Sequence, residues 1–173
     1  MNLVLEKIEN ARRESLSLLS LPKLGIDSIP NEVFELEHLT NLNLRDNNIS
    51  YIPEEISKLK KLKVVYLDGN QISSIHNNFF DLNGIEILNL NDNQLKALPE
   101  EIGQLTNLKR LNFSSNQITT IPSSIGELTK LEHIFGSNNY LTHLPKELSI
   151  LDNLSQINFF QNQIEDLEID LSK

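Results

Sequence analysis

The sequence predicts an α/β fold, a right-handed solenoid with parallel strands on its concave face and a capping helix at its N-terminus. Three observations predict it. A period of 23 residues runs without insertion or deletion from Leu16 to Lys173. Within each period, inward and outward positions alternate over a few residues, which is typical of a strand. An amphipathic segment precedes the first period. Chains with such periods stack their units along one axis, and each unit buries its apolar side against its neighbours.

The N-terminal segment predicts a helix over residues 3–14. Val4, Ile8 and Ala11 fall on one side of this helix and charged residues fall elsewhere. We assign residues 1–15 to an N-terminal capping helix, because it would cover the apolar side that the first unit otherwise exposes.

Seven repeats occupy residues 16–173, and the last repeat is incomplete. They start at Leu16, Leu39, Leu62, Ile85, Leu108, Leu131 and Leu154. The second repeat reads LxxLxLxxNxIxxIPxxIxxLxx, and positions are counted from its first leucine. Leu42 and Leu44 point inward while Asn41, Asn43 and Arg45 point outward, so positions 3 to 5 predict a strand. The apolar residues that follow, three or four apart and with a proline, predict an extended or short helical return.

An asparagine at position 9 and a proline at position 15 make the pattern specific. Six repeats carry the asparagine, namely Asn47, Asn70, Asn93, Asn116, Asn139 and Asn162. Five carry the proline, namely Pro30, Pro53, Pro99, Pro122 and Pro145. The pattern resembles the leucine-rich repeat family, and its 23-residue Ile-Pro form is similar to intracellular Ras-pathway scaffolds, to bacterial members and to the repeat regions of Roco-type proteins. The resemblance implies that the asparagines turn inward as a structural ladder and bond to the backbone of neighbouring loops.

Composition narrows the class of partner. The formal net charge of −9 argues against nucleic acid, because phosphate binding is driven by clustered lysine and arginine. No apolar run approaches the ~18 residues of a membrane span, and the N-terminus lacks the pattern of a signal peptide. The sequence contains no cysteine. We therefore expect a cytoplasmic protein, or one secreted from a bacterium by a route without a recognisable signal peptide.

The outward positions offer little catalytic chemistry. His133 and Ser137 lie four positions apart along the chain, about 13 Å at ~3.3 Å per residue, which is too far for a nucleophile and its base. The sequence has no GxxxxGK phosphate loop. We predict no enzyme, no cofactor and no metal site. A remote alternative is a hydrolase or cation site that uses Asp68 and Asp92, at positions 7 and 8 of adjacent repeats.

Outward aromatic and aliphatic side chains are the candidate anchors for a protein or peptide partner. One cluster spans repeats three and four, another spans repeats six and seven, and two outward arginines would pair with acidic groups of a partner. These candidates are Val64, Tyr66 and Ile87 for the first cluster, His133, Phe135, Tyr140 and Phe160 for the second, and Arg45 and Arg110 for the arginines. The alternative for the first cluster is that such residues simply favour strands. The alternative for the second is that Tyr140 and Phe160 cover the C-terminal end of the stack.

The predicted function is a non-catalytic protein–protein interaction module that binds its partner on the concave face, such as a bacterial scaffold or effector. Two alternatives stay open: a structural or self-associating unit, and the N-terminal recognition part of a larger signalling protein. We expect a monomer, with a dimer through the C-terminal edge as the alternative.

Position 6 carries a large apolar side chain in every repeat except the sixth, which has a glycine there. Leucine in the first four repeats is followed by Phe113, Gly136 and Phe159. A glycine at a core position leaves a cavity unless its neighbours fill it. We therefore expect the rings of Phe113 and Phe159 to occupy the space beside Gly136.

Overall fold

The structure is a computed structural model that describes residues 3–165. Residues 1–2 and 166–173, which include the end of the predicted seventh repeat, lie outside the described range. The described chain begins with helix α1 and continues with short strands. Their bounds are α1 Leu3–Arg13, β1 Leu18–Ser20, β2 Asn41–Asn43, β3 Tyr51–Ile52, β4 Val64–Tyr66, β5 Ser74–Ile75, β6 Ile87–Asn89, β7 Arg110–Asn112, β8 His133–Phe135 and β9 Gln156–Asn158.

Seven of the strands form the predicted parallel sheet, in the order β1-β2-β4-β6-β7-β8-β9. Each residue pairs with the residue 23 positions later, as Leu18 does with Asn41. Leu42 and Leu44 are fully buried, whereas the outward neighbours Asn41 and Asn43 are partly exposed. The apolar and polar residues that alternate in the sequence are therefore the buried and exposed side chains that alternate along the strands, and the predicted solenoid is confirmed.

Helix α1 covers the first repeat, as predicted. Val4, Ile8 and Ala11 are buried in the common core. Arg12 in the last turn forms an ion pair of 2.6 Å with Glu35, the last residue of the 3-10 helix in the first repeat. No helix within residues 3–165 has the length and apolar character needed to cross a membrane.

The return segments contain short 3-10 helices as well as extended chain. Those described are Asn31–Glu35, Glu54–Lys58, Asn77–Asp81, Glu100–Gln104, Ser123–Glu127 and Lys146–Ile150. A position-15 proline precedes each of them except the third, and its fixed φ favours this start. In the third repeat His76 takes this place, and its Nδ1 accepts a bond of 3.3 Å from the amide of Asn78.

A second, two-stranded sheet on the return side was not predicted. β3 and β5 pair in parallel, with Tyr51 beside Ser74 and Ile52 beside Ile75. Only repeats two and three are extended in this way within the described residues. The hydrophobic pattern is the same in the neighbouring repeats, so it gave no signal for this local pairing.

The position-9 asparagines link successive repeats. Asn47 accepts bonds from the amides of Leu24 and Ile26 at 3.0 and 3.1 Å, and it donates to the carbonyls of Leu21 and Leu44 at 2.9 Å. The bond from the amide of Ile26 and the two donated bonds recur at the equivalent positions for Asn70, Asn93, Asn116, Asn139 and Asn162. Each side chain thus satisfies backbone groups in the preceding loop that the sheet cannot reach.

Phe113 and Phe159 fill the space beside Gly136. A Cβ added at Gly136 would lie 2.5 Å from two atoms of the Phe113 ring and 2.9 Å from the Phe159 ring. The two ring centroids are 6.4 Å apart. The hypothesis that the two rings compensate for the glycine agrees with this packing.

An exposed charge ladder at position 2 makes one pH-dependent contribution. Lys109 bonds to Glu86 at 2.8 Å and Lys63 approaches the same carboxylate at 3.5 Å. The bond from Lys109 and its charge lower the pKa of Glu86 below its usual 4.5. This stabilisation is therefore present above pH 4.5 and is lost as the pH falls through the lowered value.

We expect Glu86→Gln to lower the melting temperature slightly at pH 7 and to lower it less at pH 3, because the parent carboxyl loses its charge as the pH falls through its lowered pKa. Thermal melts of both proteins at the two pH values test this, with exposed Glu37→Gln as the control. A constant difference at both pH values would contradict the assignment.

Candidate binding surface

The outward side chains of the seven-stranded sheet form one continuous surface, which we call the strand face. It comprises positions 3, 5 and 7 of each repeat, that is, the outward residues of the strands and the residue two positions beyond. Adjacent repeats bring equivalent positions side by side, as Val64 and Ile87 show by pairing in register. Any ligand of this surface meets rows of side chains that run across the repeats.

Asparagines at position 5 have a structural role that the sequence did not reveal. In four repeats the side-chain oxygen of this asparagine accepts a bond from the amide of position 7. The pairs are Asn43 with Arg45, Asn89 with Asn91, Asn112 with Ser114 and Asn158 with Phe160, at 3.0 to 3.2 Å. Their outward place in the sequence suggests only adaptable polar contacts or solvation. They instead fix the chain where it leaves the strand.

Two repeats replace this asparagine with an aromatic residue. Tyr66 stands at position 5 of repeat three and Phe135 at position 5 of repeat six. Neither ring can offer a carbonyl acceptor to the amide two residues later. Repeat one needs no such bond, because Pro22 at position 7 has no amide hydrogen. The two aromatic residues therefore depart from the rule that the other repeats follow.

Tyr66 is held by its neighbours. The guanidinium of Arg45 lies 4.0 Å from the centre of the Tyr66 ring, and its Nε bonds to Asp68 at 2.8 Å. Asn89 donates to the same carboxylate oxygen at 2.9 Å. Arg45, predicted to pair with a partner's acids, is therefore already paired within the chain, and its stacking fixes the orientation of the ring.

The remaining residues of the first cluster form a half-exposed row at position 3. Val64 and Ile87 are adjacent and partly exposed, and Arg110 follows Ile87 in the next strand. Arg110 is exposed, and its side chain makes no hydrogen bond or ion pair with any residue between 3 and 165. Of the two predicted arginines, this one keeps its charge available.

The second cluster is only partly assembled. The rings of His133 and Phe135 stack with centroids 6.2 Å apart and planes 6° from parallel. Nδ1 of His133 is buried without a hydrogen-bond partner among the described residues. Tyr140 is 51% exposed and Phe160 is 74% exposed, and neither ring meets another ring within residues 3–165. The structure thus joins the first two residues and leaves the other two as separate exposed side chains.

Of the two residues of the remote catalytic alternative, Asp68 already accepts bonds from Arg45 and Asn89, so its charge is largely compensated. Within residues 3–165 no group of three or more histidine or carboxylate residues could hold a metal ion. The hydroxyl of Ser137 bonds to that of Ser114 at 3.1 Å.

Comparisons with known proteins agree with the repeat pattern. Residues 77–172 match a model of a leucine-rich repeat region, and residues 14–72 match a second leucine-rich repeat model. The chain is 35% identical over 71 residues to leucine-rich repeat-containing protein 58 of Xenopus tropicalis, which covers 41% of the chain and 20% of that relative.

Two solved structures have the same fold. A leucine-rich repeat protein of Leptospira interrogans matches with a TM-score of 0.78 and 29% identity, over 91% of this chain and 46% of that one. The receptor kinase HAESA of Arabidopsis, solved with the peptide hormone IDA and the co-receptor SERK1, matches with a TM-score of 0.71 and 32% identity, over 79% of this chain and 24% of that one. The chain therefore spans less than half the length of each of these three proteins.

Proposed function

The chain belongs to the leucine-rich repeat family, and we propose that it is a non-catalytic module that binds a protein or peptide partner on its strand face, the concave side of the solenoid. The fold and its relatives indicate a protein-interaction module. The proposal adds the surface and the residues that the partner contacts.

The observation that carries the proposal is the pair of aromatic residues at position 5. Four repeats use this position to bond their own backbone. Tyr66 and Phe135 give up that bond, and each ring is instead held by a neighbouring side chain at the surface. A local departure from a structural rule, without a compensating gain in the core, favours a functional role. Fixed aromatic rings are also the side chains that most often dominate protein interfaces.

The neighbouring side chains suit a mixed interface. Val64 and Ile87 offer apolar contact beside Tyr66, and the unpaired Arg110 lies between them and His133. Aromatic, aliphatic and arginine side chains are enriched at the centres of interfaces. Tyr140 in repeat six and Phe160 in repeat seven would then add contacts with the same partner.

Alanine at either ring should weaken binding without unfolding the chain. We expect Tyr66→Ala and Phe135→Ala each to reduce the affinity for the partner by about 30-fold, the effect of a hot-spot side chain worth about 2 kcal/mol. The partner would first be captured on the immobilised chain, and its affinity for each variant would then be measured by calorimetry.

Tyr51→Ala provides the matched control. Tyr51 is a tyrosine that is 49% exposed on β3, outside the seven-stranded sheet. Its removal deletes the same kind of side chain from the return side, so we expect no change in affinity. Undiminished binding by both strand-face variants, or an equal loss in Tyr51→Ala, would refute the assignment of the strand face.

A further inference from the structure

The backbone after each strand repeats one hydrogen-bond pattern. The amide of position 6 donates to position 5 of the next repeat, as Leu67 does to Asn89 at 2.9 Å and Gly136 does to Asn158 at 2.8 Å. The amide of position 8 donates to position 7 of the next repeat, as Gly69 does to Asn91 at 3.0 Å. The position-7 amide between them turns to the strand face, because that is where the position-5 asparagines meet it in the other repeats.

Two position-7 amides lack that acceptor. They belong to Asp68, which follows Tyr66, and to Ser137, which follows Phe135. Neither amide donates a hydrogen bond to any residue between 3 and 165. Each is thus a backbone donor that lies beside a fixed aromatic ring on the strand face. Such a donor is available to an acceptor that a ligand brings.

The spacing of the two donors matches an extended peptide. Repeats three and six are separated by three strand spacings, which is about 14 Å at ~4.8 Å per strand. Four residues of an extended chain cover about the same distance at ~3.4 Å per residue. Carbonyl groups four residues apart point to the same side of an extended chain, since its period is two. One segment can therefore serve both amides.

The charges around the donors favour a neutral acceptor. The Asp68 carboxylate is already bonded to Arg45, whereas Asp46 and Asp92 occupy position 8 of the flanking repeats. A carboxylate acceptor would be repelled by Asp46 and Asp92 and by the net charge of −9. A main-chain carbonyl carries no such penalty.

We propose that the amides of Asp68 and Ser137, each beside its ring, anchor one extended peptide segment that crosses repeats three to six. Residues i and i+4 of the segment give one main-chain carbonyl to each amide, and their flanks pack on Tyr66 and Phe135. This assignment rests on the proposed function and names the form of the partner.

The premise can be tested on the chain alone. We expect the amide hydrogens of Asp68 and Ser137 to exchange at least tenfold faster than those of Asn91 and Ser114, which are bonded. Tyr66→Asn and Phe135→Asn restore the missing acceptor, and each should slow the exchange of the amide two residues later without lowering the melting temperature. Equal exchange rates at all four amides in the parent would overturn the proposal.

The occupant is tested with phage-displayed random linear dodecapeptides. They are selected on the full chain, and the affinity of each enriched peptide is then measured on the parent and on the double variant Tyr66→Asn/Phe135→Asn. We expect enriched peptides to bind the parent, to lose at least tenfold in affinity on the double variant, and to shift the Asp68 and Ser137 amide signals together. An ester in place of the amide at residues i and i+4, which weakens the carbonyl acceptor, should cost about fivefold to tenfold each. The same change at residue i+1, whose carbonyl points away, should cost little.

The remaining outcomes separate this proposal from the proposed function. Peptides that require Val64 or Ile87 but bind the double variant equally well would overturn the two anchors and leave binding on the strand face standing. Peptides that ignore every strand-face substitution would count against both. Failure to enrich any peptide would overturn the extended peptide as the occupant, while capture of a folded partner would still decide the proposed function.

Discussion

Replacing Asn93 by alanine should lower the free energy of unfolding by about 3 kcal/mol, because a buried amide is then left without a partner. Asn93 is 8% exposed and accepts a bond of 2.9 Å from the amide of Ile72. It also donates to the carbonyls of Leu67 and Leu90 at 3.0 and 3.1 Å.

The loss of stability comes mainly from one backbone group, the amide of Ile72. The carbonyls of Leu67 and Leu90 keep a second bond, from Asn70 and Asn116 respectively. The amide of Ile72 has no other acceptor within the described residues. Removal of a single partner from a buried pair costs the desolvation of the group that stays behind, which is larger than the net value of an ordinary hydrogen bond.

Urea unfolding of the variant and of Asn83→Ala measures this effect. Asn83 is an exposed asparagine whose side chain makes no hydrogen bond among residues 3–165, so its replacement should stay within about 0.5 kcal/mol of the parent. Equal midpoints for the two variants would show that water replaces the lost bond at the interior site. In that case the inward asparagines would not be required for the stability of the stack.

The repeat pattern was sufficient to predict the scaffold. Leucines at fixed spacing require a common core, and a period-two stretch of three residues can bury only alternate side chains, so strands at positions 3 to 5 follow from burial alone. The capping helix followed from the same argument applied to Val4, Ile8 and Ala11. Because these features recur in every repeat, each repeat supports the same prediction of strand and core positions.

The strand face was harder to predict because its contacts join residues of different repeats. The sequence predicts Arg45 only as an exposed cation. Nothing in its own repeat indicates that it contacts Tyr66 and Asp68 of the next repeat. The bonds of the position-5 asparagines were missed for another reason. An outward asparagine on a strand suits solvent equally well, and only the geometry of the following residue distinguishes the two roles. The signal was nevertheless present, since the same position holds asparagine in four repeats and an aromatic residue in two.

Leucine at position 136 should destabilise the chain by about 3 kcal/mol, although leucine occupies the same position in the first four repeats. The reason is the ring of Phe113, two atoms of which lie 2.5 Å from where a Cβ at Gly136 would stand. The ring is fully buried and packs between neighbouring repeats. It cannot move aside without a shift of the surrounding core, which is packed densely.

The second half of this prediction is a rescue. Phe113→Leu alone leaves a cavity beside Gly136 and should cost about 1 to 3 kcal/mol. Combined with Gly136→Leu it places two leucines side by side, the arrangement that Leu67 and Leu90 already have in repeats three and four. The double variant should therefore lose clearly less stability than the two single losses added together, with a coupling of about 2 kcal/mol or more in a double-mutant cycle from urea unfolding. Additive losses, or a Gly136→Leu protein more stable than the parent, would show that the two positions do not share one space. A coupling of this size would instead mean that Phe113 and Gly136 share one space in the core. The ring of one repeat then replaces the side chain that is missing from the next.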